Sequence, residues 1–430
     1  MVFADWRKQG RVDLEALEMA TRSAMHRAGA SVIEQLLNAC APPEPEVACG
    51  CGGQARFHQM RPKQIVTALG EIRIERAYYF CGHCHSGQSP RDQELDVEGT
   101  EYSPAVRRMM AIVGSEESFE RGRQQLADLA GLEVTAKAVE RQAEVVGQDI
   151  ADREQAHIAT AVQLEIQQVR SDQIPVMYVE MDGTGIPVVA AETEGRPGKT
   201  QGQPAHTREV KLGCVFTQTE TDEEGRPVRD DASTTYTGAI ETANSFGRRI
   251  YREAWDRGWD RSKTKVVLGD GALWIWNIAD EHFPGAIQIV DLYHARQHLW
   301  ELAAKVHPAD EKQRKIWASR LEKKLDAGKV ETVVKNLRAL SVPSTALAEL
   351  IENEAAFFER NAERMRYARF RTQKLFVGSG VVEAGCKTVI GRRLKMSGMF
   401  WSVRGANSII ALRCNRVSGK FADYWESRAA

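Results

Sequence analysis

The sequence predicts a mixed α/β fold, and three observations predict it. From Ile174 to Asp291, short apolar runs and helical patterns follow one another in the order β-β-β-α-β-α-β. Two of those runs, Val176-Met-Tyr-Val-Glu-Met181 and Val266-Val-Leu268, lead into Asp182-Gly and Asp270-Gly. From His294 to about Arg369 everything then reads as helix, until Val377-Gly-Ser-Gly380 opens a short helix with Glu383 in its first turn. Acids after the first and fourth strands are the layout of an RNase H-like sheet, interrupted here by an all-helical insertion.

The chain has 430 residues, enough for two to four domains. No apolar run approaches the roughly 20 residues that span a bilayer, and Met1-Val-Phe-Ala-Asp-Trp-Arg7 is no export signal, so a cytoplasmic protein without membrane contact is expected. A net charge of −1 gives no global hint of nucleic acid. Locally, Arg364, Arg366, Arg369, Arg371, Lys374, Lys387, Arg392, Arg393 and Lys395 crowd around the Glu383 segment with few acids among them.

Taken in order, residues 1–45 are a helical lead-in, with Leu14, Leu17, Met19, Met25, Leu36 and Leu37 as its apolar face, ending before Ala41-Pro-Pro-Glu-Pro. Residues 46–100 carry Cys49-Gly-Cys51 and Cys81-Gly-His-Cys84 around strands at Ile65–Leu69 and Glu71–Phe80. Two cysteine knuckles on a hairpin predict a zinc-ribbon-like module with a structural Zn²⁺ on Cys49, Cys51, Cys81 and Cys84. His58, His83 or His85 could replace one thiolate. An acidic linker, Asp92–Glu98, follows.

Residues 101–170 read as helical. A break at Gly131 and a cap at Thr135 give a helix-turn-helix-like DNA-binding pattern, with Lys137, Glu140, Arg141 and Gln142 as candidates to face DNA. An ordinary helical hairpin fits the same residues. The catalytic core then occupies 171–298 and 376–430, around an insertion at 299–375.

Carboxylates side by side on neighbouring strands repel unless cations lie between them. Asp182, Asp270 and Glu383 therefore make a candidate site for two Mg²⁺ or Mn²⁺ ions, which serve in-line phosphoryl displacement by activating the attacking oxygen and stabilising the leaving one. Asp291 and His294 end the fifth strand and could stand behind the metals or touch DNA. Lys387, Arg392 and Arg393 would meet phosphates, and Trp401 could stack on an unpaired base or lie in the core. Gly195-Arg-Pro-Gly-Lys-Thr200 is no phosphate loop, because Thr193 stands where its first glycine belongs. Ser379 likewise lacks the flanking glycines of a nucleophile elbow, Val377 and Val381 occupying those places.

With these residues assembled, the chain closely resembles the ISKra group of insertion-sequence transposases, relatives of the Mutator-like DDE enzymes. The resemblance rests on Met181-Asp-Gly-Thr-Gly-Ile-Pro187, Thr207-Arg-Glu-Val-Lys-Leu212, Val267-Leu-Gly-Asp-Gly-Ala272, Ile289-Val-Asp-Leu-Tyr-His294, Gly380-Val-Val-Glu-Ala-Gly-Cys-Lys387 and the Trp401…Gly405-Ala-Asn tail. It implies a catalytic triad of Asp182, Asp270 and Glu383, an Asp291-x-x-His294 signature and an inserted helical domain. It also implies binding of terminal inverted repeats by the N-terminal part, and end cleavage followed by 3′-OH attack on target DNA. Two ends must be held together, so a homodimer or higher oligomer is expected. A catalytically silent DNA-binding protein, or a nuclease that cuts without joining, are the competing readings.

Overall fold

The computed structural model describes residues 7–8, 11–39, 42–163, 173–198, 205–342 and 344–428. Two compact units emerge, residues 1–146 with 423–430, and residues 147–422. Cys40, and Lys199 and Thr200 at the end of the Gly195–Thr200 segment, lie outside the described residues.

In the first unit, helix α1 (Leu14–Asn38) starts where Asp13 accepts a hydrogen bond from the Ala16 N–H at 3.1 Å. Strands β1 (Glu46–Ala48), β2 (Gln54–Thr67), β3 (Gly70–Cys81) and β4 (Gly87–Gln88) form an antiparallel sheet in that order. Strand β2 begins eleven residues before the apolar run Ile65–Leu69 that announces it in the sequence. Pro62 and polar neighbours hid the rest. Strand β1 pairs only with residues 54–56, so Pro62, which has no N–H to donate, stands on an open edge where it costs little.

The apolar face expected for α1 is corrected. Ala30, Ile33 and Leu37 pack on Ile65, Ile72, Ile74 and Val97, whereas Leu14, Met25 and Leu36 are 65–69 % exposed. The small residues Gly29 and Ala30 allow the closest approach, Gly29 lying against Leu69, and that contact sets the helix's rotation. The acidic run Asp92–Glu98 is also more than a linker. Asp92 is buried between Lys63 and Arg76 at 3.2 and 2.9 Å, and Asp96 pairs with Arg107 at 2.6 Å.

Helices α2 (Pro104–Glu116), α3 (Phe119–Gln125) and α4 (Ala136–Gln163) follow. A π-turn extends α3 to Gly131, which adopts φ 67°, and the Thr135 hydroxyl accepts from the Ala138 N–H at 3.1 Å. Val106, Met110, Leu126, Leu132 and Val139 close the core between them.

The second unit is built on a five-stranded sheet of β5 (Ile174–Pro187), β6 (Thr207–Gln218), β7 (Thr235–Ala239), β8 (Ser262–Gly269) and β9 (Ile287–Val290). The spatial order is β7-β6-β5-β8-β9. Strand β6 is antiparallel to both its neighbours, and β8 is parallel to β5 and β9. Residues Met177–Met181 at the centre of β5 are all buried. Helices α5 (Ala243–Asp256) and α6 (Leu273–His282) lie between the later strands in sequence. Helices α7 (Leu292–Val306), α8 (Glu311–Asp326), α9 (Val330–Arg338) and α10 (Thr345–Arg360) come next, then short α11 (Tyr367–Thr372). Then come α12 (Gly380–Gly385), prolonged by a π-turn over Cys386–Gly391, and α13 (Val403–Val417), with a short last helix at Phe421–Glu426. Helix α7 begins at Leu292, two residues before the helical run expected from His294, because Asp291 caps it by accepting from the His294 N–H at 2.6 Å.

Candidate carboxylate centre and cysteine cluster

Asp182 does not end its strand, as the sequence pattern suggested. Strand β5 continues to Pro187 because its antiparallel pairing with β6 carries on, while the parallel pairing with β8 stops at Met181 opposite Gly269. The side chain therefore stands where the sheet opens on one flank. Asp270 follows Gly269 directly, just past the end of the neighbouring strand, and its charge acts on Asp182. Its carboxylate accepts from the Ala272 N–H at 2.9 Å, and Gly271 turns the chain with φ 99°. A side chain at Gly271 would also collide with Phe357 at 2.7 Å.

Glu383 arrives from the far end of the sequence. The Ser379 hydroxyl donates to its carboxylate at 3.2 Å and also to Asp291 at 2.8 Å. Asp291 is fully buried and accepts from the Ser379 N–H as well, while the Asp291 and Leu292 N–H groups donate to Gly269 and Val377 at 2.7 and 2.8 Å. One aspartate thus ties the end of β8 to the turn that presents Glu383. Behind it, Glu180 accepts from the Val382 N–H at 2.9 Å and lies 3.9 Å from the Cys214 thiol. Gly385 lets this helix cross β7, since a side chain there would meet Tyr236 at 2.4 Å.

Burial pushes the Asp182 carboxyl above its usual range. Hydrogen bonds from Cys386 and the Gly183 N–H oppose the shift, and the negative charges of Asp270 and Glu383 add to it. Burial likewise pushes Glu180 up to about 8, with Asp291 and Glu383 adding to the shift against the Val382 N–H. A cation among Asp182, Asp270 and Glu383 would relieve this crowding, and carboxylate oxygens are the donors that Mg²⁺ and Mn²⁺ prefer. The three are close enough to repel, but they are not collapsed into a cage. Among the described residues, only the four cysteines bring ligand atoms all within 4.8 Å of one another.

That cluster is Cys49, Cys51, Cys81 and Cys84, in the turns at the end of the hairpin. Sulfur separations are 3.6 Å for Cys49–Cys84 and 3.7 Å for Cys51–Cys81. A tetrahedral zinc with Zn–S of about 2.3 Å requires edges of about 3.8 Å. The cluster could bind zinc, and no histidine is needed to complete it. The Ser86 hydroxyl and N–H draw the Cys84 thiol down to about 6. At Cys51 the Gly53 N–H pulls the same way but is outweighed by the neighbouring sulfurs, Cys84 first, which push that thiol up to about 12. Four thiolates without a cation would repel, and zinc removes that conflict.

The other sequence candidates separate into two groups. Lys387 and Arg392 are exposed, as are Lys137 and Arg141 on α4. Arg393 and Trp401 are buried, which corrects Arg393 as a DNA contact and puts Trp401 in the core, the second of its two expected places. The Trp401 indole donates to the Leu394 carbonyl at 3.1 Å, and the Arg393 guanidinium lies over its ring at 4.9 Å. Asp291 cannot touch DNA either, and its role is to anchor Ser379. The basic surface is also smaller than composition suggests. Arg366 pairs with Glu363 at 2.6 Å and with Glu331, while Arg364 lies over Trp276 at 4.7 Å. His294 faces His298, their Nε2 atoms 3.3 Å apart.

Sequence reasoning passed over Glu180 and Cys386, and weighed Ser379 only as a nucleophile. A signal for Glu180 was present: it is the only acid inside the apolar run Val176–Met181, two residues before Asp182 and so on the same strand face.

No family model matches the chain, and no curated protein matches it. Among solved structures, it is similar to the Drosophila P element transposase strand transfer complex, at 8 % identity over 79 % of this chain and 84 % of that one, with a TM-score of 0.25. So loose a likeness carries no argument. Among the described residues no helix is long and apolar enough to cross a membrane.

Proposed function

We propose that the chain is a DDE transposase of a bacterial insertion sequence, with an RNase H-like core that cuts element ends and joins their 3′-OH groups to target DNA. The observation that carries this reading is the meeting of Asp182 on β5 and Asp270 just after the adjacent β8 with Glu383, which the Asp291–Ser379 tie brings across the helical segment. Supporting it is the sheet order β7-β6-β5-β8-β9 with β6 alone antiparallel to its neighbours, the arrangement expected of an RNase H-like sheet.

In this reading Asp182, Asp270 and Glu383 hold two Mg²⁺ or Mn²⁺ ions. The ions supply Lewis-acid chemistry, raising the reactivity of the attacking oxygen and stabilising the leaving one. The protein's own part is positioning. Gly271 lets the backbone turn sharply after Asp270, Ser379 orients the Glu383 carboxylate, and Glu180 and Asp291 hold the backbone of that turn from beneath. Exposed Lys387 and Arg392 offer charge to the phosphates. The residues 46–100, with zinc on the four thiolates, and the helix-turn-helix-like helices bind the terminal repeats, and two chains pair the two ends.

The test is Mg²⁺- or Mn²⁺-dependent joining of oligonucleotides carrying the inverted repeats that border the gene. Wild type should cut and join. Glu383→Gln should bind the same ends and lose joining by about 10²- to 10³-fold or more, the scale of removing one group that stabilises transition-state charge. Equal joining by Glu383→Gln would refute the triad. Cutting without joining would leave a nuclease, and binding alone would leave a DNA-binding protein.

A further inference from the structure

Helix α7 carries His294 and His298 four residues apart, hence on one face. Their Nε2 atoms converge to 3.3 Å. Nδ1 of His298 lies 2.8 Å from a Glu354 carboxylate oxygen, and the His298 ring stacks on Phe357 at 4.3 Å with an interplanar angle of 14°. We propose that His294 and His298 form a binding site for a late first-row divalent metal, Zn²⁺, Ni²⁺ or Co²⁺, distinct from both the carboxylate centre and the cysteine cluster.

Three features argue for it. A carboxylate on Nδ1 keeps the proton there, which leaves the Nε2 lone pair of His298 free for a ligand and makes it a better donor. Two imidazole nitrogens on a tetrahedral ion at about 2.0–2.1 Å should stand about 3.3–3.4 Å apart, as these do. The stacked Phe357 fixes the ring before any ion arrives, so little side-chain freedom remains to be lost. The competing account is a direct N–H···N hydrogen bond at the same 3.3 Å, and it is the outcome in which wild type takes up no further metal.

The donor set decides the metal class. Imidazole suits zinc, nickel and cobalt and is a poor ligand for Mg²⁺. Asp291 does not contribute, because its two oxygens are engaged by the His294 N–H and by Ser379. Among the described residues no third histidine, cysteine or acid completes a cage with the pair, so the remaining positions fall to water or an incoming oxygen ligand. Phe357 also lies against Gly271, next to Asp270. An ion here would thus tighten α7 and α10 against the turn that carries Asp270. This inference does not depend on the transposase reading.

The experiment uses the full chain with its cysteines loaded with zinc and with Mg²⁺ in excess. Ni²⁺ and Co²⁺ are titrated by calorimetry and by visible absorption. Wild type should take up one further equivalent, with cobalt bands that lack thiolate charge transfer, and its Tm should rise. His298→Ala and His294→Ala should each lose that equivalent while keeping the cysteine-bound zinc. Glu354→Gln should weaken it by about 10- to 100-fold. Should His298→Ala fail to fold, His294→Gln and Glu354→Gln give the same reading. Uptake unchanged by these substitutions, no further equivalent in wild type, or a cobalt spectrum dominated by sulfur would each overturn the proposal.

Discussion

The cysteine cluster and the carboxylate centre solve the problem of gathering like charges in opposite ways. The cysteines sit in two tight turns at one end of a single hairpin, and their sulfurs already stand at the spacing of a tetrahedral site. The carboxylates come from β5, the end of β8 and α12, and they remain apart, with Asp182 pushed up by burial and by its neighbours' charge. A closed soft site suits a structural ion. An open hard site suits ions that must also contact a substrate. The difference teaches that local turns can gather one cluster of like groups, whereas the other is drawn from across the fold and needs further residues to hold it.

The largest effect should come from breaking the cysteine cluster. Cys81→Ser, or chelation of bound zinc, should unfold the hairpin, since binding energies of about 10 kcal/mol or more are coupled to folding in small zinc modules. Metal content together with circular dichroism would show it. Persistence of a folded hairpin without metal would break the comparison from this side.

Next comes the tie beneath the carboxylates. Asp291→Ala removes the partner of the Ser379 N–H and hydroxyl and uncaps α7, and should cost about 3–5 kcal/mol in denaturant unfolding. Asp291→Asn keeps the shape and should cost less, while DNA joining falls with displacement of Glu383.

Glu180 offers a pH test. Its carboxyl is raised to about 8 in the folded protein, so the folded state holds a proton that the unfolded chain releases near 4.5. Stability should therefore fall as pH rises from about 4.5 to 8, by up to about 1.4 kcal/mol per unit from this group. Glu180→Gln, which cannot ionise, should flatten that slope in metal-free protein. Unaltered slopes in thermal melts would remove Glu180 from the account.

The smallest effect belongs to Lys387, which is exposed. Lys387→Ala should leave stability within about 0.5 kcal/mol. If this side chain meets a phosphate, DNA binding by the variant should show a salt dependence shallower by about one counterion. Identical slopes would make it a solvated surface lysine.

Much of the core was legible because it depends on periodicity. The five strands and helices α5 and α6 fall close to where alternation and 3.6-residue spacing put them. Strand β2 was only partly legible, because an open edge tolerates Pro62 and polar residues that would be excluded from a strand paired on both sides. The reach of β5 beyond Asp182 was not legible at all, since a partner strand decides how far pairing runs.

By itself, then, the sequence determined the residue types and local turns: thiolates at knuckle spacing, acids before glycine after apolar runs, and a cap at Thr135. Those depend on neighbours within a few residues. Only the tertiary structure decided that Asp291 is an anchor, that Arg393 and Trp401 are interior, that Glu180 supports the Glu383 turn, and that His294 meets His298 beside Glu354. Burial and hydrogen-bond partners are contributed by segments far away in the chain, and a charged side chain reads the same in sequence whether water or the core surrounds it.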